Sequence, residues 1–91
     1  MARTRPRDAV SATVLAKQAP QIEDAVWVLR HATSALIALH AVAELRRCVL
    51  ESEEILVNEA RRGGDTWELI AEALGESRQA VHRRHSRKLT A

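Results

Sequence analysis

Phenylalanine and tyrosine are absent from this chain, and tryptophan occurs only at Trp27 and Trp67. The apolar inventory is therefore Ala, Val, Leu and Ile, the stock of close-packed helices. Glycine and proline are almost as scarce: there are three Gly and two Pro, and none of them lies between Gln21 and Arg62. So little turn punctuation excludes a β-sandwich and points to an all-α fold. The single cysteine, Cys48, excludes an intramolecular disulfide, which suits a reducing cytosol. No catalytic motif accompanies Cys48, so it reads as a buried small hydrophobe. Long hydrophobic runs are missing too. The richest, Ala32–Ala43, is twelve residues and contains His40, well short of the roughly 20 that span a bilayer. No apolar stretch follows the basic N-terminal residues, so a secretory signal is not expected.

What is present is charge, unevenly placed. Residues 1–20 carry four basic and one acidic side chain, residues 21–62 five basic and seven acidic, and residues 63–91 five basic and four acidic. From Ser77 to Ala91 there are five basic residues and no acidic one. An acidic middle between basic ends suits a protein whose ends meet a polyanion. Twelve Arg against two Lys, with abundant Ala and Val, point to a GC-rich bacterial genome.

The chain divides by pattern into three segments. Residues 1–19 form a basic arm, with Arg3, Arg5 and Arg7, and a short helix that Asp8 caps and that stops before Pro20. The arm is either a solvated tail or a minor-groove reader. Pro20 fits the first turn of a second helix, where Glu23 and Asp24 complement the N-terminal dipole. From Gln21 to Arg62 runs a 42-residue stretch without a breaker, about 60 Å if it were one helix. Either it folds back into a hairpin, at Thr33-Ser34 or within Arg47–Ser52, or it forms a long helix that needs a partner.

Two apolar seams run along this segment. One passes through Val28, Ala32, Ala35, Leu39, Val42 and Val49; the other through Ile22, Val26, Leu29, Leu36, Ala43 and Leu50. Arg46 and His40 interrupt them. A helix apolar on several sides needs more neighbours than so short a chain supplies, so homodimerisation is expected, with Val28, Leu36, Leu39 and Val42 at the interface. The alternative is a monomer whose terminal helices cover both seams. His31 and His40 read as interface or surface histidines, with His40 placed to tune a dimer with pH. Trp27 and Trp67 read as packing residues.

Gly63-Gly64 closes the long segment as a C′ glycine does. Asp65-x-x-Glu68 then has the spacing of a capping box and opens a short helix whose apolar face is Ile70, Ala71 and Leu74. Gly75 permits the positive φ of a tight turn, and Ser77 can cap the next helix. On that helix Val81, His85 and Leu89 fall inward by four-residue spacing. Gln79, Arg83, Ser86 and Arg87 fall outward, flanked by His82, with Arg78 at the exposed first turn. The sharp stop at Gly63-Gly64 and the sharp start at Asp65 make those two helices meet at an angle, the geometry a helix-turn-helix requires.

The run A-x-x-L-G-x-S-R-Q-A-V-x-x-R resembles the helix-turn-helix of small bacterial regulators and of the DNA-reading region of sigma factors. It is most similar to actinobacterial proteins whose motif runs SWxEIAxALGxSRQAxHxR, and the likeness covers residues 60–88. It implies that Ser77, Arg78, Gln79, His82 and Arg83 face DNA. Glu76 departs from the pattern, standing where an apolar residue is usual, and His85 stands where an aromatic is common. The chemistry agrees: arginine suits guanine or phosphate and glutamine suits adenine in a major groove, while Arg84, Arg87 and Lys88 suit phosphates.

The expectation is thus an all-α protein, a long helix or helical hairpin for dimerisation followed by a C-terminal helix-turn-helix, binding double-stranded DNA as a homodimer. A cytoplasmic, nucleoid-located transcriptional regulator or nucleoid-associated protein fits this reading. The alternative is an antitoxin-like or adaptor module whose basic helix binds an acidic partner. No enzymatic role, cofactor, small-molecule ligand or membrane contact is expected. His82-x-x-His85 has metal-compatible spacing but no further ligand near it in sequence, so a metal site is not expected either.

Overall fold

A computed structural model describes residues 9–90, with side chains described at residue 12 and over residues 15–86. The described residues form four helices and no strand: α1 (Ala9–His31), α2 (Ala35–Arg62), α3 (Trp67–Leu74) and α4 (Arg78–Thr90). No helix among them is long and apolar enough to cross a membrane. The basic arm and the proposed cap at Asp8 lie outside the described residues. The chain forms two compact units, Met1–Glu53 and Glu54–Ala91.

In the first unit, α1 does not stop before Pro20 but runs through it. Proline inside a helix removes one amide and crowds the carbonyl four residues back. Here Ala16, Ala19 and Pro20 are all exposed, so water can reach the carbonyl left without a partner. The real break is at Ala32–Ser34, one of the two weak points legible in the sequence. Ser34 makes it: its hydroxyl oxygen accepts from the Ile37 amide at 3.2 Å and its carbonyl from the Ala38 amide at 3.1 Å, which starts α2 without glycine or proline. The other candidate, Arg47–Ser52, lies within continuous helix.

Cross-helix contacts show that α1 and the first part of α2 run antiparallel. The buried Gln18 donates from Nε2 to Glu51 Oε1 at 2.7 Å and accepts at Oε1 from the Ser52 hydroxyl. One turn on, Gln21 Oε1 accepts from Arg47 Nη2 at 3.1 Å and from the Cys48 thiol at 3.7 Å. Further along, Ala25 and Val28 share a groove of about 320 Å³ with His40, Ala41 and Glu44. Buried apolar side chains in this unit are small: Ala25, Ala41 and Cys48.

Several of the larger apolar side chains face water instead. Trp27 is 61% exposed, which corrects its reading as a packing residue; its indole stacks on the exposed His31 ring with centroids 4.2 Å apart. Leu36, Leu39, Val49 and Leu50 are 71%, 58%, 55% and 52% exposed. On the α2 surface Arg47 bridges Glu44 and Glu51, and its hydrogen bond holds the Glu44 carboxyl below the ordinary carboxylate range.

The second unit has a denser core. Val57 from the end of α2 packs with Trp67, Ile70, Ala71 and Val81, and Ala60 and Leu74 lean on them. α2 ends in a Schellman motif: the Gly64 amide donates to Arg61 O and the Asp65 amide to Ala60 O, both at 3.0 Å, with Gly64 at φ 96°. The cap of α3 is Thr66, one residue later than the Asp65 of the expected capping box. Its Oγ1 accepts from the Leu69 amide at 3.1 Å. Asp65 is displaced from that role because its backbone closes the Schellman motif, and its carbonyl accepts from Arg61 Nη1 at 2.9 Å.

Candidate nucleic-acid interface

The α3–α4 pair is built by a second glycine motif. Gly75 adopts φ 71° and ψ 28°; its amide donates to Glu72 O and that of Glu76 to Ala71 O. A side-chain-bearing residue resists this left-handed conformation, so Gly75 fixes where α3 stops. Two residues later the Ser77 hydroxyl accepts from the Ala80 amide at 3.1 Å and the Ser77 carbonyl from the Val81 amide at 3.2 Å, which starts α4. Thus only Gly75, Glu76 and Ser77 lie between the two helices.

Val81 is fully buried and His85 is 4% exposed, so these two define the inward face of α4. At 100° per residue Arg83 lies opposite that face, with Gln79 and Ser86 beside it. Gln79 and Arg83 are exposed and Ser86 is half-buried. Among the described residues Arg83 has no carboxylate partner. Ser77 is exposed, but its hydroxyl is committed to the cap.

The other cations have company. Arg78 Nε lies 3.0 Å from Glu68 Oε2, which ties the first turn of α4 to α3. Arg84 Nη2 donates to Glu76 Oε1 at 2.7 Å. His82 is exposed, and its ring meets the buried Trp67 edge-on with centroids 5.0 Å apart. Arg61 stacks on the same indole at 4.7 Å. Trp67 is thus a packing residue, as read from the sequence, with a cation on one contact and an imidazole on another. The side chains of Arg87 and Lys88 lie outside the described residues, as does that of Leu89.

Sequence reasoning missed Glu68 and Glu76 as partners of the basic residues. The signal available was Glu76 itself, an acid where the resembled pattern has an apolar residue. Its carboxylate replaces an apolar turn contact with an ion pair to α4.

Of the four residues expected at a dimer interface, Leu36 and Leu39 are exposed and Val42 is half-buried on α2. Val28 lies elsewhere, lining the groove between α1 and α2 of its own chain. Comparison with protein-family models, with curated proteins and with solved structures finds no match.

Proposed function

We propose that α3, the Gly75–Ser77 turn and α4 form a helix-turn-helix that binds duplex DNA, in a homodimeric transcriptional regulator or nucleoid-associated protein. The observation that carries this reading is the two-sidedness of α4. Val81 and His85 anchor one face in the core, and Gln79 and Arg83 stand exposed on the other. A helix held this way presents a guanine-type and an adenine-type reader one turn apart to a major groove. Five basic and no acidic residues from Ser77 onward add affinity through phosphates. The resemblance of residues 60–88 to bacterial regulators and sigma factors supports the same reading.

Fluorescence anisotropy with labelled duplex DNA, titrated in salt, tests it. Binding should weaken linearly on a log–log scale as counterions are retaken, and Arg83→Ala should weaken it at every salt concentration. Absence of binding at low salt overturns the reading and favours an acidic protein partner for α4. Genome-wide mapping of bound sites then separates the two roles: few sharp peaks for a regulator, many broad ones for a chromosome-coating protein.

A further inference from the structure

The side of α2 turned away from α1 carries a heptad seam. Ala41 and Cys48 are buried against α1, seven residues apart. On the opposite side of α2 stand Leu36, Leu39, Ala43, Arg46 and Leu50, all exposed. Their spacings alternate three and four, the a and d register of a coiled coil. Neither seam read from the sequence contained this set. Leu39 belongs to one and Leu36, Ala43 and Leu50 to the other, and the break at Ala32–Ser34 separates them from the α1 members of both. The outward side of α1 carries exposed Glu23 and Arg30 beside the Trp27–His31 stack, and Val26 and Leu29 of the same helix are also exposed. The α2 line is the more exposed of the two, with Leu36, Leu39 and Leu50 at 71%, 58% and 52% against 39% for Val26 and Leu29 of α1.

We infer that a second copy of this chain covers that seam, and that the two α2 helices pair antiparallel. This deepens the homodimer part of the proposed function and rests on it. Charge selects the occupant's orientation. In a parallel pair Arg46 meets Arg46 of the second copy in the same core layer, two like charges without water. In an antiparallel pair each Arg46 lies against the Ala43 of the other helix, a small residue over which its long stem can extend. The same register sets Leu39 against Leu50.

The flanks agree. Val42 and Val49 border the seam on one side, and the exposed His40 and Arg47 on the other. Parallel pairing sets each flank against the opposite type, valine against imidazole or guanidinium. Antiparallel pairing sets Val42 against Val49 and His40 near Arg47, so apolar meets apolar. Leu36, Leu39, Val49 and Leu50 are already more than half exposed, so covering them gains hydrophobic free energy without unpacking the hairpin.

The test uses the full chain without DNA. Sedimentation at micromolar concentration should give a dimer. Leu39→Lys should give a monomer whose circular dichroism retains the parent's helix content, because Leu39 contributes little to the monomer core. Orientation is read by disulfide trapping. Leu39→Cys combined with Leu50→Cys should crosslink two chains under mild oxidation, whereas Leu39→Cys alone should not. Those two positions are eleven residues apart on one helix, about 16 Å, too far for an intrachain bridge. The parent chain, with Cys48 enclosed, is the control.

A monomeric parent, a Leu39→Lys dimer, or efficient crosslinking by the single variant overturns the inference. The DNA reading stands or falls separately. A monomer that binds DNA removes the seam and leaves the helix-turn-helix, and an antiparallel dimer that ignores DNA does the reverse.

Discussion

Arg84 of α4 reaches back over the turn to Glu76, its Nη2 donating to Oε1 at 2.7 Å, with both side chains partly in solvent. A carboxylate so placed competes with any phosphate for the same guanidinium. Glu76→Gln removes the competing charge and keeps a similar shape. Exposed ion pairs of this kind contribute roughly 0.2–1 kcal/mol, so DNA affinity should rise about 1.5- to 5-fold at low salt. Thermal stability should barely change. Anisotropy titrations of the parent, Glu76→Gln and the double variant with Arg84→Ala check this. The gain must vanish in the double variant, or Arg84 is not its source.

Arg83 stands at the centre of the outward face of α4, where truncation disturbs no core contact. Arg83→Ala should therefore leave the unfolding midpoint unchanged while DNA affinity falls. Loss of a bidentate base contact is worth about 1–3 kcal/mol, or roughly 5- to 150-fold. Arg83→Lys should recover affinity for random duplex better than affinity for a selected site, because a lysine supplies the charge without the two-pronged geometry. Equal recovery on both sequences would place Arg83 on phosphate.

Local chemistry was the legible part of this fold. Gly64 and Gly75 are read correctly because only glycine adopts a positive φ cheaply, and Ser77 because a serine oxygen satisfies a free amide wherever a helix starts. Adjacent alternatives defeat the same logic. Asp65 and Thr66 are both good caps, and the choice fell to Thr66 because the Asp65 backbone was already used in closing α2. Pro20 looks like a boundary in sequence because the rule against interior proline ignores which side of the helix faces water, and here Pro20 is exposed within α1.

Long-range pairings were not legible. Gln18 looks like any surface glutamine, yet it is buried and bonded to Glu51 and Ser52, more than thirty residues away. Nothing in the one-dimensional pattern announces such a pair. Trp27 failed for the converse reason: large aromatics are buried on average, and here the hairpin contact is made by alanines, a glutamine and a cysteine. Seam membership mixed the two helices because the exact turn position was undecided, and a shift of a few residues reassigns every position to another face.

Acid should weaken the first unit through Glu44. Its carboxyl is held below the ordinary value of 4.5, chiefly by the hydrogen bond from Arg47. A group whose pKa is depressed in the folded state contributes stability that is full above its unfolded value. That stability is lost as pH falls through the folded value. Urea unfolding followed by circular dichroism at about pH 5 and at lower pH should show a smaller acid-induced loss for Arg47→Ala than for the parent. Raising salt should shrink the difference, since both partners are exposed.

Gly75→Ala separates the stability of the turn from its use. A β-carbon at Gly75 meets no heavy atom within 4 Å, so crowding is not the obstacle. The obstacle is φ 71°, which costs an alanine roughly 1–2 kcal/mol. For a chain this small the melting temperature should fall by about 4–16 °C, and Gly75→Asn should fall less, because asparagine tolerates the left-handed region. DNA binding measured well below the melting transition is then informative. If the alanine variant keeps φ positive, α4 keeps its angle to α3 and affinity survives. If the backbone relaxes instead, Gln79 and Arg83 swing away from their common groove and affinity drops by more than the unfolded fraction accounts for. We expect the first outcome, because the amides of Gly75 and Glu76 both remain bonded to the end of α3 and Val81 stays locked in the core.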